Sequence, residues 1–272
     1  MSRDLLRALS AIAHLETPTL ARRLSIELFG NSKRLEELQG KVVTVLRAHA
    51  PDAVMYGDDE WALLQSYKVC RPSEYIPLAG PLSLMILKAS DGDERPAAQL
   101  HIDPALPSIS LSEEILRGTI ITSCPATALI TIENQTSFSE FLQVRPPSVL
   151  AIFTGGFASP ALISFLRAIR RYQPELPYLH WGDIDVGGLA ILAHLRRQLG
   201  AMHSLCMNVE VLSFYQAHAQ ALTNAEKEGL ELLLLDTELE DCVPLIHYMI
   251  KHQFKLEQEA VRAERVLASL SL

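Results

Sequence analysis

The sequence lacks the features that would place a chain in a membrane or in an oxidising compartment. It contains no run of about 18 uncharged apolar residues, and its first residues, Met1-Ser2-Arg3-Asp4, do not open a signal-peptide pattern. Its 4 cysteines are widely spaced with no Cys-x-x-Cys pair, so neither a zinc knuckle nor a disulfide framework is indicated. These absences predict a globular cytoplasmic protein with no membrane partner, whose cysteines are reduced core residues: Cys70, Cys124, Cys206 and Cys242.

Positive charge is also scarce. The chain has 24 Lys and Arg against 32 Asp and Glu, which gives a formal net charge of -8. Because phosphate contacts come from Lys and Arg, this balance argues against a protein that binds nucleic acid over a broad surface. Any DNA contact must be local, and a solvated helix face is the simpler interpretation of each basic group. The basic groups are Arg22 with Arg23, Lys33 with Arg34, Arg167 with Arg170 and Arg171, and Arg196 with Arg197.

The sequence does have enough apolar material for a sizeable core. With 272 residues and 49% hydrophobic content, it can form one large domain or two smaller ones. We find no internal repeat and no low-complexity segment. Changes of pattern along the chain predict three parts, residues 1–60, 61–118 and 119–272.

Apolar residues at helical spacing predict three short helices in the first part. The second helix covers Pro18 to Leu28, and Gly30-Asn31-Ser32 separates it from a third that runs through Leu35 to Leu46. Three helices with tight turns fit a winged-helix or helix-turn-helix module, but also a plain helical cap on the next domain. In the first case Lys33 and Arg34 would lie at the start of the third helix, the usual reader of the DNA groove.

The second part, residues 61–118, consists of short apolar runs broken by Pro and Gly. Examples are Tyr75 to Leu82 and Ser108 to Leu111. This pattern is typical of a β-rich connector. It offers no evident chemistry.

In the third part, acids follow two apolar runs of strand length. Glu133 follows the first run, and Gly182-Asp183-Ile184-Asp185 follows the second. A third run lies between them and leads into Gly155-Gly156, with helical patterns in the intervals, which predicts a βαβαβ unit. Right-handed crossovers would place these strands in one parallel sheet with their carboxyl ends at one edge. The acids could then converge. The runs are Ala128 to Ile132, Val149 to Phe153 and Tyr178 to Trp181.

Convergent carboxylates favour a metal site. In an extended chain, alternate side chains point the same way, so Asp183 and Asp185 should project together. Carboxylate oxygens suit a hard cation such as Mg²⁺ or Mn²⁺. The alternative is a strand-to-helix turn in which both acids only accept backbone N–H groups at a helix start, and Asp185 could be such a cap.

Three further features are open to a structural as well as a functional interpretation. Gly155 and Gly156 could bring backbone N–H groups close to a phosphate, or could simply form a tight turn. His180, in an apolar run, is interpreted as a core histidine and is left out of the catalytic set. Asp183-Ile184-Asp185-Val186 also satisfies the nucleophile pattern of haloacid-dehalogenase-like phosphatases, although that pattern normally opens its domain. A non-catalytic, DNA-associated assembly subunit is the other alternative.

Several segments taken together resemble a known family. A lone Glu on one strand followed by Gly-Asp-x-Asp on a later one resembles the Toprim domain, the metal-dependent phosphoryl-transfer module of topoisomerases and primases. The closer resemblance is to the Wadjet nuclease subunit JetD family, relatives of the topoisomerase VI A subunit. The residues that carry it are Ile132-Glu133-Asn134 with Phe138, Phe153 to Phe157, His180 to Gly188, Leu24 to Glu36, and Leu256-Glu257-Gln258-Glu259-Ala260.

The resemblance implies a fold, a reaction and partners. The fold would be α/β, with a Toprim-like parallel sheet flanked by helices, a winged-helix-like N-terminal module and a β-rich connector. The reaction would be hydrolysis of double-stranded DNA by water held on Mg²⁺ or Mn²⁺, without a covalent intermediate. Glu133, Asp183 and Asp185 would be its metal-binding catalytic residues. The partners would be a second copy of the chain and an SMC-like motor complex.

The resemblance also includes Glu257 and Glu259 as possible outer residues of the metal site. We expect a long final helix that begins near Pro244 and runs through Arg265. Residues at i and i+2 do not share one face of a helix. We therefore expect at most one of these two acids to reach the metal.

Overall fold

The computed structural model of the chain describes residues 2–49, 60–90 and 93–270. Contacts divide the chain into two compact units, Met1–Ser73 and Glu74–Leu272. The predicted three-part division, with a boundary next to the undescribed residues 50–59, stays a prediction.

The described helices are α1 (Arg3–Ala13), α2 (Ala21–Phe29), α3 (Arg34–His49), α4 (Glu60–Ser66), α5 (Glu113–Arg117), α6 (Gln135–Val144), α7 (Pro160–Tyr172), α8 (Val186–Leu199), α9 (Val209–Phe214), α10 (Asn224–Leu233), α11 (Val243–His252) and α12 (Ala263–Ala268). The described strands are β1 (Thr19–Leu20), β2 (Val69–Cys70), β3 (Tyr75–Ala79), β4 (Leu82–Ser90), β5 (Asp93–Ile102), β6 (Ile109–Ser112), β7 (Thr119–Ser123), β8 (Ala128–Ile132), β9 (Val149–Phe153), β10 (Tyr178–Trp181), β11 (His203–Ser204), β12 (Gln220–Ala221) and β13 (Phe254–Lys255). Short 3-10 helices span Gln216–His218, Thr237–Cys242 and Gln258–Ala260.

The first unit is mainly helical, and the three helices predicted in it are confirmed as α1 to α3. The turn between α2 and α3 is fixed by Ser25, whose buried hydroxyl donates to the Asn31 carbonyl at 2.6 Å and accepts from the Leu35 N–H at 2.9 Å. Helix α4 and the strands β1 and β2 were not predicted. Within residues 2–49 and 60–73, those strands pair in parallel and form no hairpin wing. The winged-helix interpretation stays a prediction.

The second unit is built on a six-stranded sheet in the order β11-β10-β8-β9-β3-β6. The first four strands of this order are parallel to one another, whereas β3 and β6 each run antiparallel to their neighbour. Helix α6 connects β8 to β9, and α7 connects β9 to β10. The α/β fold and the parallel βαβαβ order are therefore confirmed.

Strand β8 illustrates why these apolar runs become central strands. All five residues of Ala128–Ile132 are at most 1% exposed. Successive side chains of a strand point to opposite faces, so burial of the whole strand means that both faces of the sheet are covered. The sequence of a strand in this position is a continuous apolar run rather than an alternation of apolar and polar residues.

Capping and helix-ending residues bound the helices that follow β9 and β10. Helix α7 is capped by the Ser159 hydroxyl, with Pro160 in its first turn, and α8 is followed by Gly200. Asp185 caps α8, and its carboxylate accepts the Gly188 N–H at 2.7 Å. The capping role predicted for Asp185 is confirmed.

The predicted β-rich character of residues 61–118 agrees with strands β3 to β6. Two of these strands, β3 and β6, extend the main sheet. The other two join β7 in a separate antiparallel sheet with the order β5-β4-β7.

The long final helix predicted through Arg265 is wrong. Helix α11 ends at His252, and Gln253 follows with a left-handed backbone at a φ of 58°. The chain then pairs as β13 with β12 and reaches the edge of the main sheet. Local helical spacing did not reveal this tertiary pairing.

Three of the four cysteines predicted to be core residues are buried. Cys124, Cys206 and Cys242 are buried, Cys70 is half-buried, and all four thiols are free. No helix among the described residues is long and apolar enough to cross a membrane.

Most members of the basic groups have partners within the chain. The pairs are Arg22 with Glu36, Arg23 with Glu27, Arg34 with Asp4 and Glu37, Arg167 with Gln198, Arg170 with the Ala201 carbonyl, Arg196 with Asp241, and Arg197 with Asp236.

Candidate metal centre

The carboxyl ends of β8 and β10 lie side by side. Trp181 pairs with Ile132 at the last position of both strands, and the Glu133 N–H donates to the Trp181 carbonyl at 3.1 Å. The main chain of Asp183 continues the contact, since its N–H donates to the Glu133 carboxylate at 3.3 Å. Two of the predicted acids therefore meet at this edge of the sheet.

A segment from the C-terminal part of the chain completes the edge. Ile184 and Leu256 exchange both backbone hydrogen bonds, at 2.9 and 3.0 Å, as an isolated antiparallel bridge. Their side chains are 2% and 1% exposed, so both point into the core. Alternation along a strand then places the flanking residues on the opposite face. Across the bridge the flanking pairs are Asp183 with Glu257 and Asp185 with Lys255.

Three carboxylates come close enough to bind one ion. Oxygen atoms of Asp183, Glu257 and Glu259 all lie within 4.8 Å of one another. Both glutamates reach Asp183, contrary to our expectation, because Glu257 is extended and only Gln258–Ala260 form a single 3-10 turn. We call Asp183, Glu257 and Glu259 the acidic triad. Glu133 and Asp185 lie outside it and stay predicted ligands.

Gln258 holds the edge together, and the sequence analysis did not identify it. Its side chain is 1% exposed, accepts the Asn134 N–H at 2.8 Å and donates to the Trp181 carbonyl at 3.0 Å. Its own N–H donates to the Asp183 carboxylate at 2.7 Å. One residue therefore ties the ends of β8 and β10 to the acidic triad. An amide between two acids was the available signal, but its burial is a tertiary property.

Asn134 orients the outermost member of the acidic triad. Its side-chain oxygen caps α6 by accepting the N–H groups of Thr136 and Ser137. Its side-chain amide donates to the Glu259 carboxylate at 2.6 Å. A helix cap thus also fixes the direction of a carboxylate that is exposed to solvent.

The electrostatics of the edge favour bound positive charge. Burial raises the pKa of Glu133 to about 7, and the charge of Asp183 adds to this, while the Asp183 N–H acts in the opposite direction. Burial also raises the pKa of Asp183 to about 6, helped by the charges of Asp185, Glu257 and Glu259 and opposed by the Gln258 N–H. A divalent cation would offset both the burial of these negative charges and their mutual repulsion, the two causes that raise the pKa values.

Two glycines leave room for the acids. A Cβ atom on Gly182 would lie 2.7 Å from a Glu133 carboxylate oxygen and 2.8 Å from His180 Nε2. A Cβ atom on Gly188 would lie 2.2 Å from the Asp183 carbonyl oxygen. Both distances are far below van der Waals contact, so any larger residue would displace the backbone or the acid.

His180 is a buried, neutral residue beside this edge. It is 0% exposed, and its Nδ1 lies 2.9 Å from the Thr131 hydroxyl. Burial, with the charge of Arg196 as a smaller cause, lowers its pKa to about 3. Its Nε2 has no hydrogen-bond partner among the described residues. The interpretation as a core histidine agrees with these contacts, although only one of its nitrogens is satisfied.

The remaining predicted site residues lie outside the acidic triad, and Gly155 and Gly156 follow the carboxyl end of β9, next to that of β8. These two glycines have φ of 64° and 104°, conformations that favour glycine, and their role in phosphate binding stays a prediction. Lys33 is exposed in the first unit. Arg34 in the same unit donates to Asp4 at 2.8 Å and to Glu37 at 2.9 Å. Their role in DNA binding also stays a prediction.

The fold and the edge define an α/β protein with clustered carboxylates at the ends of parallel strands. A family model described as "Wadjet protein JetD, C-terminal" matches residues 96–270. The chain therefore belongs to the Wadjet JetD family, as its motifs indicated. It is 22% identical over 261 residues to the Wadjet protein JetD of Bacillus cereus, and the match covers 94% of this chain and 61% of that relative. The chain spans less than two thirds of the relative's length.

Proposed function

We propose that this chain is a metal-dependent DNA endonuclease of the Toprim type that acts in Wadjet anti-plasmid defence. The observation that carries the proposal is the acidic triad, whose oxygens lie within 4.8 Å of one another at the carboxyl edge of a parallel sheet. Open α/β sheets bind their ligands at this edge. Membership of the Wadjet JetD family supports the biological setting.

The donors at the edge fit Mg²⁺ or Mn²⁺. All are carboxylate oxygens, which hard divalent cations prefer, and nitrogen or sulfur donors are absent from the acidic triad. The acidic triad would hold the ion, Asp185 would be a further ligand, and Glu133 would be a ligand or the general base. When bound, such an ion lowers the pKa of a coordinated water and offsets charge on the phosphate.

Glu133 fits the role of general base. The reaction transfers a water oxygen to phosphorus and breaks one phosphorus–oxygen ester bond, so the water loses a proton and the departing oxygen gains one. The pKa of Glu133, raised to about 7 by burial, makes this carboxylate a suitable proton acceptor near neutral pH. Gly182 allows it to lie close over the backbone of Asp183.

The partners are part of the proposal. Closed-circular double-stranded DNA would be the substrate, a second copy of the chain would place a second site on the other strand, and an SMC-like motor complex would deliver the DNA. The main sheet would be Toprim-like, and the first unit winged-helix-like, with Lys33 and Arg34 near phosphates.

The test is a plasmid-nicking assay with the purified chain, with and without Mn²⁺. We expect nicking of supercoiled plasmid only with metal, and loss of both nicking and Mn²⁺ binding in Asp183→Asn. The control is Glu231→Gln, which removes an exposed acid on α10 and should leave both unchanged. Normal nicking by Asp183→Asn would overturn the site assignment.

A phosphomonoester assay on the same wild-type and variant proteins separates the two alternatives. Turnover of a small phosphomonoester, lost in Asp183→Asn and without any effect on plasmid, would support the phosphatase. No Mn²⁺ binding and no turnover would support the assembly subunit, in which Asp185 is only a helix cap and Asp183 only an acceptor of backbone N–H groups.

A further inference from the structure

Lys255 lies on the same face as the acids of the candidate metal centre. Strand β13 places it directly before Leu256, the residue that bridges to Ile184. By the register of that bridge, Lys255 stands opposite Asp185, just as Glu257 stands opposite Asp183. The side chain is 18% exposed.

The ammonium group is held at this place by Glu226. Its Nζ donates to the Glu226 carboxylate at 2.8 Å. Glu226 is itself fixed, because it accepts from the N–H and hydroxyl of Thr223 at 2.8 and 2.7 Å in a capping box at the start of α10. The hydrogen bond to Glu226, with smaller contributions from the charges of Glu257 and Asp185, raises the pKa of Lys255.

Like Lys255, other cations of the second unit are paired with acids. Arg196 and Arg197 are engaged with Asp241 and Asp236. Among the described residues, Lys255 is the cation that the backbone register places on the acidic face. A lysine ammonium has three N–H donors, and one bond to Glu226 leaves others for a further acceptor.

We propose that Lys255 contacts a non-bridging oxygen of the DNA phosphate at the metal centre, which makes it a substrate-binding residue. The inference rests on the proposed nuclease function. A phosphate held by a cation at the acidic triad would have negative oxygens next to the ammonium group, and the flexible lysine side chain can reach them while it stays paired with Glu226. The contact stabilises the additional negative charge that develops on the phosphate during hydrolysis.

The first test measures DNA affinity with Ca²⁺ in place of Mn²⁺, on a short duplex over a range of salt concentrations. Lys255→Met should weaken binding and reduce the slope of log affinity against log salt by about 0.9, the value for one lost phosphate contact. The matched control is Lys251→Met, which removes an exposed lysine on α11 four residues earlier. It should leave affinity and slope unchanged. An unchanged slope in Lys255→Met would overturn the inference.

The second test measures plasmid cleavage and Mn²⁺ affinity together. Lys255→Met should lower kcat about 100-fold, as loss of one oriented donor does, and should keep or tighten Mn²⁺ binding. Lys255→Arg keeps the charge and should recover part of the rate. Glu226→Gln loosens the hold on the lysine but keeps its ammonium group, so it should lower kcat less than Lys255→Met does. A purely structural ion pair predicts equal losses in Lys255→Met and Glu226→Gln, and that result would overturn the inference.

The outcomes distinguish the two levels of the proposal. If the wild-type chain neither binds Mn²⁺ nor cleaves DNA, the nuclease function fails and the inference fails with it. If the wild type cleaves and Lys255→Met cleaves equally well, only the inference fails. Thermal unfolding of each variant shows whether a lost rate reflects a lost fold.

Discussion

At the scale of single residues, the candidate metal centre is a place where negative charges are held close together. Glu133 and Asp183 are joined by a backbone hydrogen bond of 3.3 Å, and Gln258 fixes Asp183 from the other side. The fold supplies N–H donors for these groups, but the pKa values of both carboxyls remain raised. The site therefore stores repulsion that a cation can relieve.

Burial of these carboxyls, together with their repulsion, predicts how stability depends on pH. The pKa of Glu133 rises on folding from 4.5 to about 7, and that of Asp183 from 3.8 to about 6. A group whose pKa is raised on folding contributes stability below its unfolded pKa, and the contribution is lost as pH rises through the folded pKa. With EDTA, we expect the Tm to fall between pH 5 and pH 8.

The control for this pH dependence is the variant that carries both Glu133→Gln and Asp183→Asn, in which neither group titrates. Its Tm should change less over the same interval when measured by thermal unfolding. Mn²⁺ should raise the Tm of the wild type more at pH 8 than at pH 5, because protons compete with the ion. A wild-type Tm that rises from pH 5 to pH 8 with EDTA would contradict the pKa directions.

At the scale of elements, the turn between β10 and α8 is the tightest part of the site. Gly188 lies where a Cβ atom would be 2.2 Å from the Asp183 carbonyl oxygen. That oxygen belongs to the backbone, so a larger residue cannot be accommodated by turning a side chain. Packing therefore explains why the second residue of Gly187-Gly188 is a glycine. Asp185, three residues before Gly188, caps α8 by accepting the Gly188 N–H.

We expect Gly188→Ala to destabilise the protein by about 1–3 kcal/mol, the usual range for overpacking a filled position, and to weaken Mn²⁺ binding. The control is Gly40→Ala in α3, where a Cβ atom would meet nothing within 4 Å. That change should stabilise by about 0.5–1 kcal/mol, because alanine is the better helix former. Urea unfolding measures the free energy of unfolding of both variants. Equal changes in Gly188→Ala and Gly40→Ala would contradict the packing argument.

The sequence predicted the parts of the site that depend on local pattern. Buried runs predicted β8, β9 and β10, and their parallel order brought Glu133 to Asp183. The segment after His252 could not be predicted, because the left-handed Gln253 and the bridge between Leu256 and Ile184 depend on contacts distant in the chain. The roles of Gln258 and both glutamates depend on that bridge.

At the scale of the whole molecule, the net charge of -8 limits the proposed DNA binding to local contacts. Arg34, one of the two predicted DNA-binding residues, is engaged with Asp4 and Glu37. Lys33 is exposed, so it is the better residue to substitute in a test of DNA binding by the first unit. Its removal tests DNA binding without breaking those ion pairs.

We expect Lys33→Ala to weaken binding to duplex DNA and to lower the slope of log affinity against log salt by about 0.9. Its Tm should stay at the wild-type value, whereas Arg34→Ala should lower the Tm because two ion pairs are lost. Fluorescence anisotropy over a salt series measures the slope. An unchanged slope in Lys33→Ala would favour the interpretation of the first helices as a plain cap.

The bridge between Ile184 and Leu256 also has a consequence for biosynthesis. Gln258 bonds to Asp183 across 75 residues of sequence, and two members of the acidic triad lie on either side of Gln258. A ribosome releases the parallel strands first and these glutamates much later. A nascent chain can therefore form its sheet while the candidate metal centre is still incomplete, so the acidic triad comes together only when synthesis of this segment is finished.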